Sequence, residues 1–566
     1  MIAVEPRTLP ALLSAAENAF GSRPALASVE GSLVEGSLVI PRFDYTQFAY
    51  AARRFAALLA SLGIERGDRV MILCENRVEW GVAYFGVMEA GAVAVPVLVD
   101  FIPEQVANVA EHASVRLVCA SERTIAKLSL VPSSIPRVML DTWNKTGADV
   151  IRGDSRTRES ATEPRANLTG ALLSSEDLAC VIYTSGTSGH SKGVMLTHGN
   201  LVSNAIATRA IFPLRDDDRV LSVMPLAHTL ESTMGFITPL LQGSCVYYLD
   251  KPPTAPVLAA ALAIVKPTVM VIVPLIIEKL FRNRLEAPLR AHPLYRFTPT
   301  RRLAIHAAGR KLEAAFGGCL RFLGIGGAAL ARDVEEFLLA ARFPYAIGYG
   351  LTETSPLIAA AIPGKTRLGS TGRILDGLEV RIAVRADAAL SGSNETVQTV
   401  LAATGQEGEI QVRGPSVMQG YYLDPERSAE VFTSDGWFRT GDLGAYDSDG
   451  LLYIRGRLKA MILGPSGENI YPEEIESVLA STGFVEESLV YAAKDGALVA
   501  LIVLNEKAKA MAEEVERLIA RLRASANARL ASFSRLARVV IQDEPFEKTA
   551  TLKIKRYLYP RSGTET

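Results

Sequence analysis

Surplus charge, paired cysteines and long apolar runs are all missing from this sequence. Lysine plus arginine number 60 and aspartate plus glutamate 61, a net charge of -1. That balance argues against nucleic acid or any other polyanion as a partner held by bulk positive charge, and it leaves room for a local basic patch. The five cysteines (Cys74, Cys119, Cys180, Cys245 and Cys319) are odd in number, far apart and set mostly among apolar neighbours, with no C-x-x-C pair. Such a pattern disfavours a disulfide framework and a zinc site and suits reduced core thiols in a cytoplasmic protein. The opening MIAVEPRTLPALLSAAENAF lacks a basic start followed by an unbroken apolar core, so it is expected to be the first helix of the fold and not a signal peptide. The best candidate for a membrane span, residues 81–99, carries Glu89 in its middle and is broken by Gly91 and Pro96, whereas a span takes about 20 mostly apolar residues. A buried helix followed by a buried strand is expected there. There is no internal repeat, and 49 % hydrophobic with 21 % charged residues excludes a wholly disordered or collagen-like chain.

The 566 residues allow about four domains of ordinary size, or fewer large ones. Up to about residue 376, Ala/Leu-rich helical stretches alternate with short β-branched runs: RVMILC (69–74), AVAVPVLV (92–99), VRLVCA (115–120), LACVIYT (178–184), CVYYL (245–249) and VMVIV (269–273). Continuous apolar strands separated by amphipathic helices indicate α/β layers with largely parallel, buried sheets. From about Gly377 the runs LEVRIAV, GEIQVRG and LGAYDSDGLLYIRGR alternate and are joined by tight turns, which predicts a small antiparallel β unit. The 447–450 turn has the acidity of a calcium loop, but the first and last ligand positions would fall on Ala445 and Gly456, so a plain hairpin turn is expected. After Gly456 come a charged strand, a Gly/Pro/Ser loop and a helix opening at Pro472 with acidic residues in its first turn. The fold class is therefore α/β. A large multi-layer N-terminal domain over residues 1–457 includes a β subdomain at about 377–457, and a small α+β C-terminal domain takes 458–566. Residues 141–163 and 386–406, rich in Ser, Thr, Gly and Asp, are expected to be flexible surface excursions. Residues 507–540 are expected to be helical with a basic surface, a solvated face for which contact with a membrane or a partner stays an alternative.

The chemistry concentrates in Tyr183-Thr184-Ser185-Gly186-Thr187-Ser188-Gly189-His190-Ser191-Lys192-Gly193, directly after the strand LACVIYT. Three glycines let the backbone fold tightly, five Thr/Ser hydroxyls can donate, and Lys192 supplies a positive charge, which are the components of a polyphosphate cradle. A Walker A loop needs glycine before its lysine, where Ser191 stands. Residues 189–193 satisfy G-x-S-x-G, but a nucleophile elbow puts its serine at a strand tip with a helix directly after, and here VMLT follows. Gly324-Ile325-Gly326-Gly327-Ala328-Ala329 likewise fits the dinucleotide pattern G-x-G-x-x-A, yet no acidic residue ends a strand about 20 positions on. A tight turn that brings backbone up to a ligand base explains it as well.

The Ser/Thr/Gly loop with Lys192, followed in order by Pro225-Leu226-Ala227-His228, Gly326-Gly327-Ala328, Gly348-Tyr349-Gly350-Leu351-Thr352-Glu353, Thr440-Gly441-Asp442, Gly456-Arg457-Leu458-Lys459 and Lys548-Thr549-Ala550-Thr551-Leu552-Lys553-Ile554, resembles the adenylate-forming (AMP-binding) superfamily. The likeness extends over nearly the whole chain. Within the superfamily the chain is most similar to the long-chain fatty acyl-CoA synthetases, on HPLYRF (292–297), AFGGCLRFLGIGGAAL (315–330), residues 350–356 and the loop 464–472. The resemblance implies ATP, Mg²⁺ and coenzyme A, with a fatty acid as the substrate that is joined first to AMP and then to coenzyme A.

The resemblance also implies roles. Thr184, Ser185, Gly186, Thr187, Ser188, Gly189 and Lys192 would hold the β- and γ-phosphates. Tyr349 would lie on the adenine, Gly326, Gly327 and Ala328 would border the base, and Gly350 belongs to the same nucleotide set. Thr352 would donate to the α-phosphate and Glu353 would hold Mg²⁺, a hard cation that prefers oxygen. Asp442 would accept from the ribose hydroxyls, and Arg457 would clamp ribose and phosphate oxygens with its planar fork. Lys553 would enter from the C-terminal domain during adenylation, Lys459 would be the hinge on which that domain swings, and His228 would lie between the nucleotide and the acyl tunnel. The sequence departs from the common pattern at Ser191, where proline often stands, and at Leu552, where glycine does. Rival expectations are a ligase that loads an acyl carrier protein, a silent nucleotide-binding protein and a serine hydrolase. Acyl chain length, oligomeric state and membrane attachment are not written in any motif.

Overall fold

A computed structural model describes residues 2–32, 36–144, 147–153, 155–160, 173–184, 192–385, 399–401, 403–458, 460–463, 469–493, 495–509, 515–548 and 554–559. Two large sheets organise the first 457 residues. In one, the strands Leu178–Thr184, Val93–Pro96, Arg69–Leu73, Leu117–Ala120 and Arg137–Asn144 run parallel. In the other, Pro24–Ser32, Cys245–Leu249, Arg219–Ser222, Val269–Ile272, Phe322–Ile325 and Tyr345–Gly350 do so. Most of these strands are short and buried on both faces, which is why their sequences are continuous apolar runs and not alternating ones.

Helices fill the space between the sheets. Tyr45–Ser61 starts from a capping box in which the Asp44 side chain accepts from Gln47 N–H and the Gln47 side chain accepts from Asp44 N–H. Val78–Glu89 is buried at every position but Glu79, so residues 78–96 form the expected buried helix and strand. Its Trp80 stacks on Tyr84 with centroids 5.0 Å apart, and Phe85 meets Phe48 and Phe236 edge to face in one continuous core with strands of both sheets. No helix among the described residues is long and apolar enough to cross a membrane.

The second sheet turns antiparallel at Leu357–Ala360, about twenty residues before the change expected at Gly377, and continues through Ser370–Ile374, Leu452–Arg457, Phe438–Tyr446, Gly408–Arg413 and Glu379–Arg385. Leu357–Ala360 is buried on both faces, so its composition is that of a parallel core strand and hides its direction. The 447–450 segment is a hairpin turn, closed by the Asp447 carboxylate accepting from the N–H groups of Asp449 and Leu451 at 2.9 Å each.

Three further expectations are corrected. Residues 141–160 are not an excursion: Arg137–Asn144, Gly147–Arg152 and Ser155–Ser160 form an antiparallel edge of the first sheet. That edge is held by Arg152–Glu159 (2.7 Å) and Arg156–Asp149 (3.1 Å) ion pairs. The outermost strand, Ser155–Ser160, is polar and exposed and carries no apolar period to reveal it. Of residues 386–406, Thr399–Leu401 is a strand paired with Glu379–Arg385, while 386–398 and 402 lie outside the described residues. Among the described residues, the helix expected over 507–540 is found in Glu506–Lys509 and Val515–Asn527 and stops short of 540, because Arg538–Ile541 pairs in parallel with Leu498–Leu504. Four cysteines are buried, and Cys319 is exposed.

The chain after residue 471 builds its own small layer. Helices Pro472–Ala480 and Val515–Asn527 cover a three-stranded sheet of Val485–Ala492, Leu498–Leu504 and Arg538–Ile541, around Ile475, Leu479, Leu518, Leu522 and Ile502. Leu518, Leu522 and Ala526 recur every fourth residue on the buried face of their helix.

Candidate active site

In an open α/β sheet, ligands gather beyond the carboxyl ends of the parallel strands, where successive loops leave a crevice. Three of the motifs meet there. Strand Arg219–Ser222 runs into Pro225–His228, Phe322–Ile325 into Gly326-Gly327-Ala328, and Tyr345–Gly350 into a single 3₁₀ turn, Thr352–Thr354. The last two strands are paired neighbours, with Ile325 opposite Ile347. A Cβ on Gly326 would lie 3.4 Å from the Gly348 carbonyl oxygen and 3.5 Å from Leu230 Cδ2. Gly350 is more restricted, since a Cβ there would come within 1.9 Å of the Pro356 oxygen. Leu351 N–H donates to that same oxygen (3.0 Å), so the chain doubles back at the point where Thr352 and Glu353 begin.

Tyr349, Asp442 and Arg457 form one group. Asp442 and Arg457 are directly opposite in the antiparallel pair Phe438–Tyr446 and Leu452–Arg457. Arg457 Nε lies 2.8 Å from Asp442 Oδ1, and the Tyr349 hydroxyl donates to Oδ2 at 2.8 Å. Asp442 N–H donates to Thr440 Oγ1 (3.0 Å), whose hydroxyl donates to the Ile410 carbonyl (2.8 Å). Burial, and then the Asp442 charge, hold the Tyr349 hydroxyl well above its ordinary pKa, so it remains a donor. Asp442 is buried while Arg457 is exposed. A carboxylate oxygen has two acceptor directions, so a buried carboxylate such as Asp442 can accept from several donors at once, a property suited to sugar hydroxyls.

Lys192, Tyr421 and Glu353 form a second group. Thr184 and Lys192 face each other as the last pair of the hairpin Leu178–Thr184 and Lys192–Thr197. The residues between them, Ser185, Gly186, Thr187, Ser188, Gly189, His190 and Ser191, lie outside the described residues. Strand Gly420–Tyr421 pairs alongside, with Tyr421 opposite Val194. This sets the Tyr421 ring 4.8 Å below Lys192 Nζ and lets its hydroxyl donate to Glu353 Oε1 at 3.0 Å. Burial and the neighbouring Glu353 raise the Tyr421 hydroxyl far above its usual range.

Between the two groups, the Thr229 hydroxyl donates to Thr352 Oγ1 (3.3 Å). His228 Nδ1 accepts from Leu230 N–H (3.2 Å), which puts the proton of the neutral ring on Nε2. The chain then enters a π-helical turn, Glu231–Ile237, whose first residue, Glu231, has its carboxyl pushed up to about 8 by complete burial. Leu230 and Met234 line an apolar cavity together with Gly326, Gly348, Leu357 and Phe322. Phe212 stacks on Phe322 at its wall (centroids 4.4 Å apart), and Arg321 lies over Phe212 while bound to Asp218 through both carboxylate oxygens (2.6 and 2.7 Å).

The structure thus brings together Thr184 with Lys192, Tyr349 with Asp442 and Arg457, and Gly326 with Gly348. Lys459 and Lys553 lie outside the described residues. Sequence reasoning misses Tyr421, Thr229 and the lining of the cavity. The adjacent aromatics Tyr421 and Tyr422 after a glycine are the available signal for the first, and nothing marks Thr229 apart from its place next to His228.

Residues 19–422 match the AMP-binding enzyme family, and residues 474–553 match the AMP-binding enzyme C-terminal domain. The long-chain-fatty-acid–CoA ligase FadD15 of Mycobacterium bovis is 32 % identical over 484 residues, covering 80 % of this chain and 76 % of its own. The peroxisomal long chain acyl-CoA synthetase 7 of Arabidopsis thaliana is 27 % identical over 84 % of this chain and 71 % of its own. Among solved structures, the o-succinylbenzoate CoA synthetase MenE of Bacillus subtilis in complex with an acyl-adenylate superposes with a TM-score of 0.74 at 23 % identity, covering 98 % of this chain and 99 % of that one.

Proposed function

The chain belongs to the AMP-binding enzyme family, and on that premise we propose that it joins a fatty acid to AMP at the expense of ATP and passes the acyl group to coenzyme A, giving acyl-CoA, AMP and pyrophosphate. The observation that carries this reading is likeness over four-fifths of the chain to ligases named for long-chain fatty acids. Those relatives also favour coenzyme A over a carrier protein as acceptor. Buried, unpaired cysteines among the described residues support a reducing, cytoplasmic setting.

A carboxylate is a poor acyl donor because its charge repels nucleophiles and its leaving group would be oxide. Attack on the α-phosphate gives a mixed anhydride with AMP as leaving group, which a thiol can displace. The protein's part is positioning and charge stabilisation. Asp442 accepts from the ribose hydroxyls, Arg457 holds ribose and phosphate oxygens, and Tyr349 presents its ring to the adenine. Close backbone approach at Gly326, Gly327 and Ala328 borders the base, and Gly350 lets the strand turn back beneath the nucleotide. Thr184, the hydroxyls and glycines from Ser185 to Gly189, and Lys192 take the outer phosphates. Thr352, steadied by Thr229, donates to the α-phosphate. His228 adjoins Thr229 on one side and lies two residues from the cavity-lining Leu230, at the junction of nucleotide and acyl chain, which we assign to the apolar cavity. Lys553 supplies a positive charge to the reacting oxygens from the small domain after residue 457, and Lys459 is its hinge.

Glu353 and the adjacent Thr352 hydroxyl are hard oxygen donors that fit Mg²⁺. When bound, the metal neutralises charge on the phosphate oxygens. Tyr421 fixes the direction of the Glu353 carboxylate through one hydrogen bond. Losing a bond worth about 1.5 kcal/mol should weaken binding by about tenfold. Tyr421→Phe is accordingly expected to raise both the KM for MgATP and the Mg²⁺ concentration needed for half-maximal ATP binding by about that factor, with the KM for fatty acid unchanged. Equal shifts in both KM values would remove this role from Tyr421.

The reading as a whole is tested with carboxylic acids of increasing chain length, assayed for pyrophosphate exchange and for AMP release with and without coenzyme A. Exchange that depends on a long-chain acid, and AMP release accelerated by coenzyme A, are expected. ATP binding with no acid-dependent exchange would mark a silent nucleotide-binding protein.

A further inference from the structure

The charge of this chain is balanced as a whole but not along its length. Residues 279–311 contain nine lysines and arginines and one acidic residue, Glu286, a net charge of +8 in a chain whose total is -1. Glu286 is already taken by Arg290 (2.7 Å) and Arg282 (3.7 Å), and Arg282 also pairs with Asp333 (3.0 Å). Lys279, Arg284, Arg302, Arg310 and Lys311 are exposed. None of this charge is used by the site described above.

The same segment also exposes large apolar side chains. Leu294 is 40 % exposed, and Phe297 and Leu303 are each 62 % exposed, within ten residues of one another. They sit on one corner: the Thr300 hydroxyl donates to the carbonyls of both Leu294 (2.9 Å) and Phe297 (3.2 Å), where the short helix Pro293–Arg296 turns into Arg301–Ala315. Beneath it Ala304, Ala308 and Leu312 are buried on the core side of the helix and Tyr295 packs against the core, with Arg301 laid over its ring at 4.4 Å. The corner is therefore fixed from within, and its outward apolar residues are not core residues displaced by chance.

We propose that this corner docks on an anionic phospholipid surface, with Leu294, Phe297 and Leu303 entering the headgroup layer and the surrounding lysines and arginines meeting lipid phosphates. Apolar side chains ringed by basic ones are what such an interface selects, since hydrocarbon burial and phosphate attraction add. A second copy of the chain is a poorer occupant, because a two-fold contact would press the exposed Lys279, Arg284, Arg302, Arg310 and Lys311 of one copy against those of the other. The use of the surface rests on the reading above, since a long-chain acid resides in membranes. The binding itself does not rest on it, and it can be measured without any turnover.

The test is cosedimentation of the full chain with phosphatidylcholine vesicles containing or lacking about one-quarter phosphatidylglycerol. Binding is expected only to the anionic vesicles, falling at least about tenfold between about 0.1 and about 0.5 M salt as the charges are screened. Phe297→Ser/Leu303→Ser and, separately, Arg302→Gln/Lys311→Gln should each weaken it about tenfold, with thermal melts and turnover of a long-chain acid presented in detergent without vesicles unchanged. Absence of vesicle binding, or variants that bind as well as the parent, would overturn the proposal. So would equal competition by duplex DNA at the same phosphate concentration, which would mark a general polyanion surface, or a self-association lost in the variants while vesicle binding persists. A chain that binds vesicles but fails acid-dependent exchange would refute the ligase reading and leave this one standing.

Discussion

Asp442→Asn is expected to weaken ATP binding about a hundredfold or more, with acid-dependent pyrophosphate exchange falling in step. The substitution keeps the shape of the side chain but replaces one acceptor oxygen by an amide donor and removes the charge. Two sets of partners lose by this. Within the protein, Arg457 and Tyr349 both donate to Asp442, and an amide can satisfy only one of them. In the complex, a ribose with two adjacent hydroxyls would find one acceptor in place of two. Hydrogen bonds to a charged group contribute about 1.5–3 kcal/mol each, and two of them amount to about two decades in affinity or more. Asp442 is buried, so a thermal melt must accompany the titration calorimetry. Asp447→Asn is the control, since Asp447 closes a hairpin turn outside the site and its variant should bind ATP normally. Unchanged ATP affinity in a folded Asp442→Asn protein would remove Asp442 from the nucleotide site.

Asp442 also shows how far the sequence can be read. Its residue type and neighbours, Thr440-Gly441-Asp442, point to a turn cap, and only the ordered set of motifs singles it out. The fact that explains its role is register: Asp442 falls opposite Arg457 across a hairpin, while Tyr349 arrives from the end of a parallel strand about ninety residues earlier. Local pattern carries neither relation. Tyr421 is the same case, since it reaches Glu353 and Lys192 only because strand Gly420–Tyr421 pairs beside Lys192–Thr197. What local pattern does carry is burial on both faces. The runs at 69–74, 178–184 and 269–273 are legible as parallel strands for that reason. For the same reason Leu357–Ala360 blends into the parallel region, and the polar strand Ser155–Ser160 has the composition of a loop. The strand Arg538–Ile541 has no local signal to separate it from the helix before it, because its partner, Leu498–Leu504, is about forty residues away in sequence.

The largest expected effect belongs to Lys553. Lys553→Ala should lower adenylation by about a thousandfold while leaving thioester formation from preformed acyl-AMP within about threefold of the parent. Four basic residues crowd residues 548–556, and resemblance alone selects one of them. The structure supplies an independent argument by giving the other three different work. Lys548 pairs with Glu487, Lys555 with Glu547 (3.2 Å), and Arg556 with Glu476 and Glu473, all within the chain after residue 471. Arg556 lies against the helix Pro472–Ala480, which carries both of its partners, so these ion pairs tie residues 548, 555 and 556 to the small layer, which supports the proposal of Lys553 as the adenylation lysine. Removing a group aimed at charge that develops in the transition state typically costs about 10²–10³ in rate, and a mobile lysine used in only one half-reaction should show that loss in one half-reaction alone. Lys555→Ala should leave adenylation within about threefold and lower the melting temperature instead. Equal loss of both half-reactions in Lys553→Ala would show that the residue holds the small domain together, and a loss of adenylation in Lys555→Ala matching that of Lys553→Ala would show that the wrong lysine had been chosen.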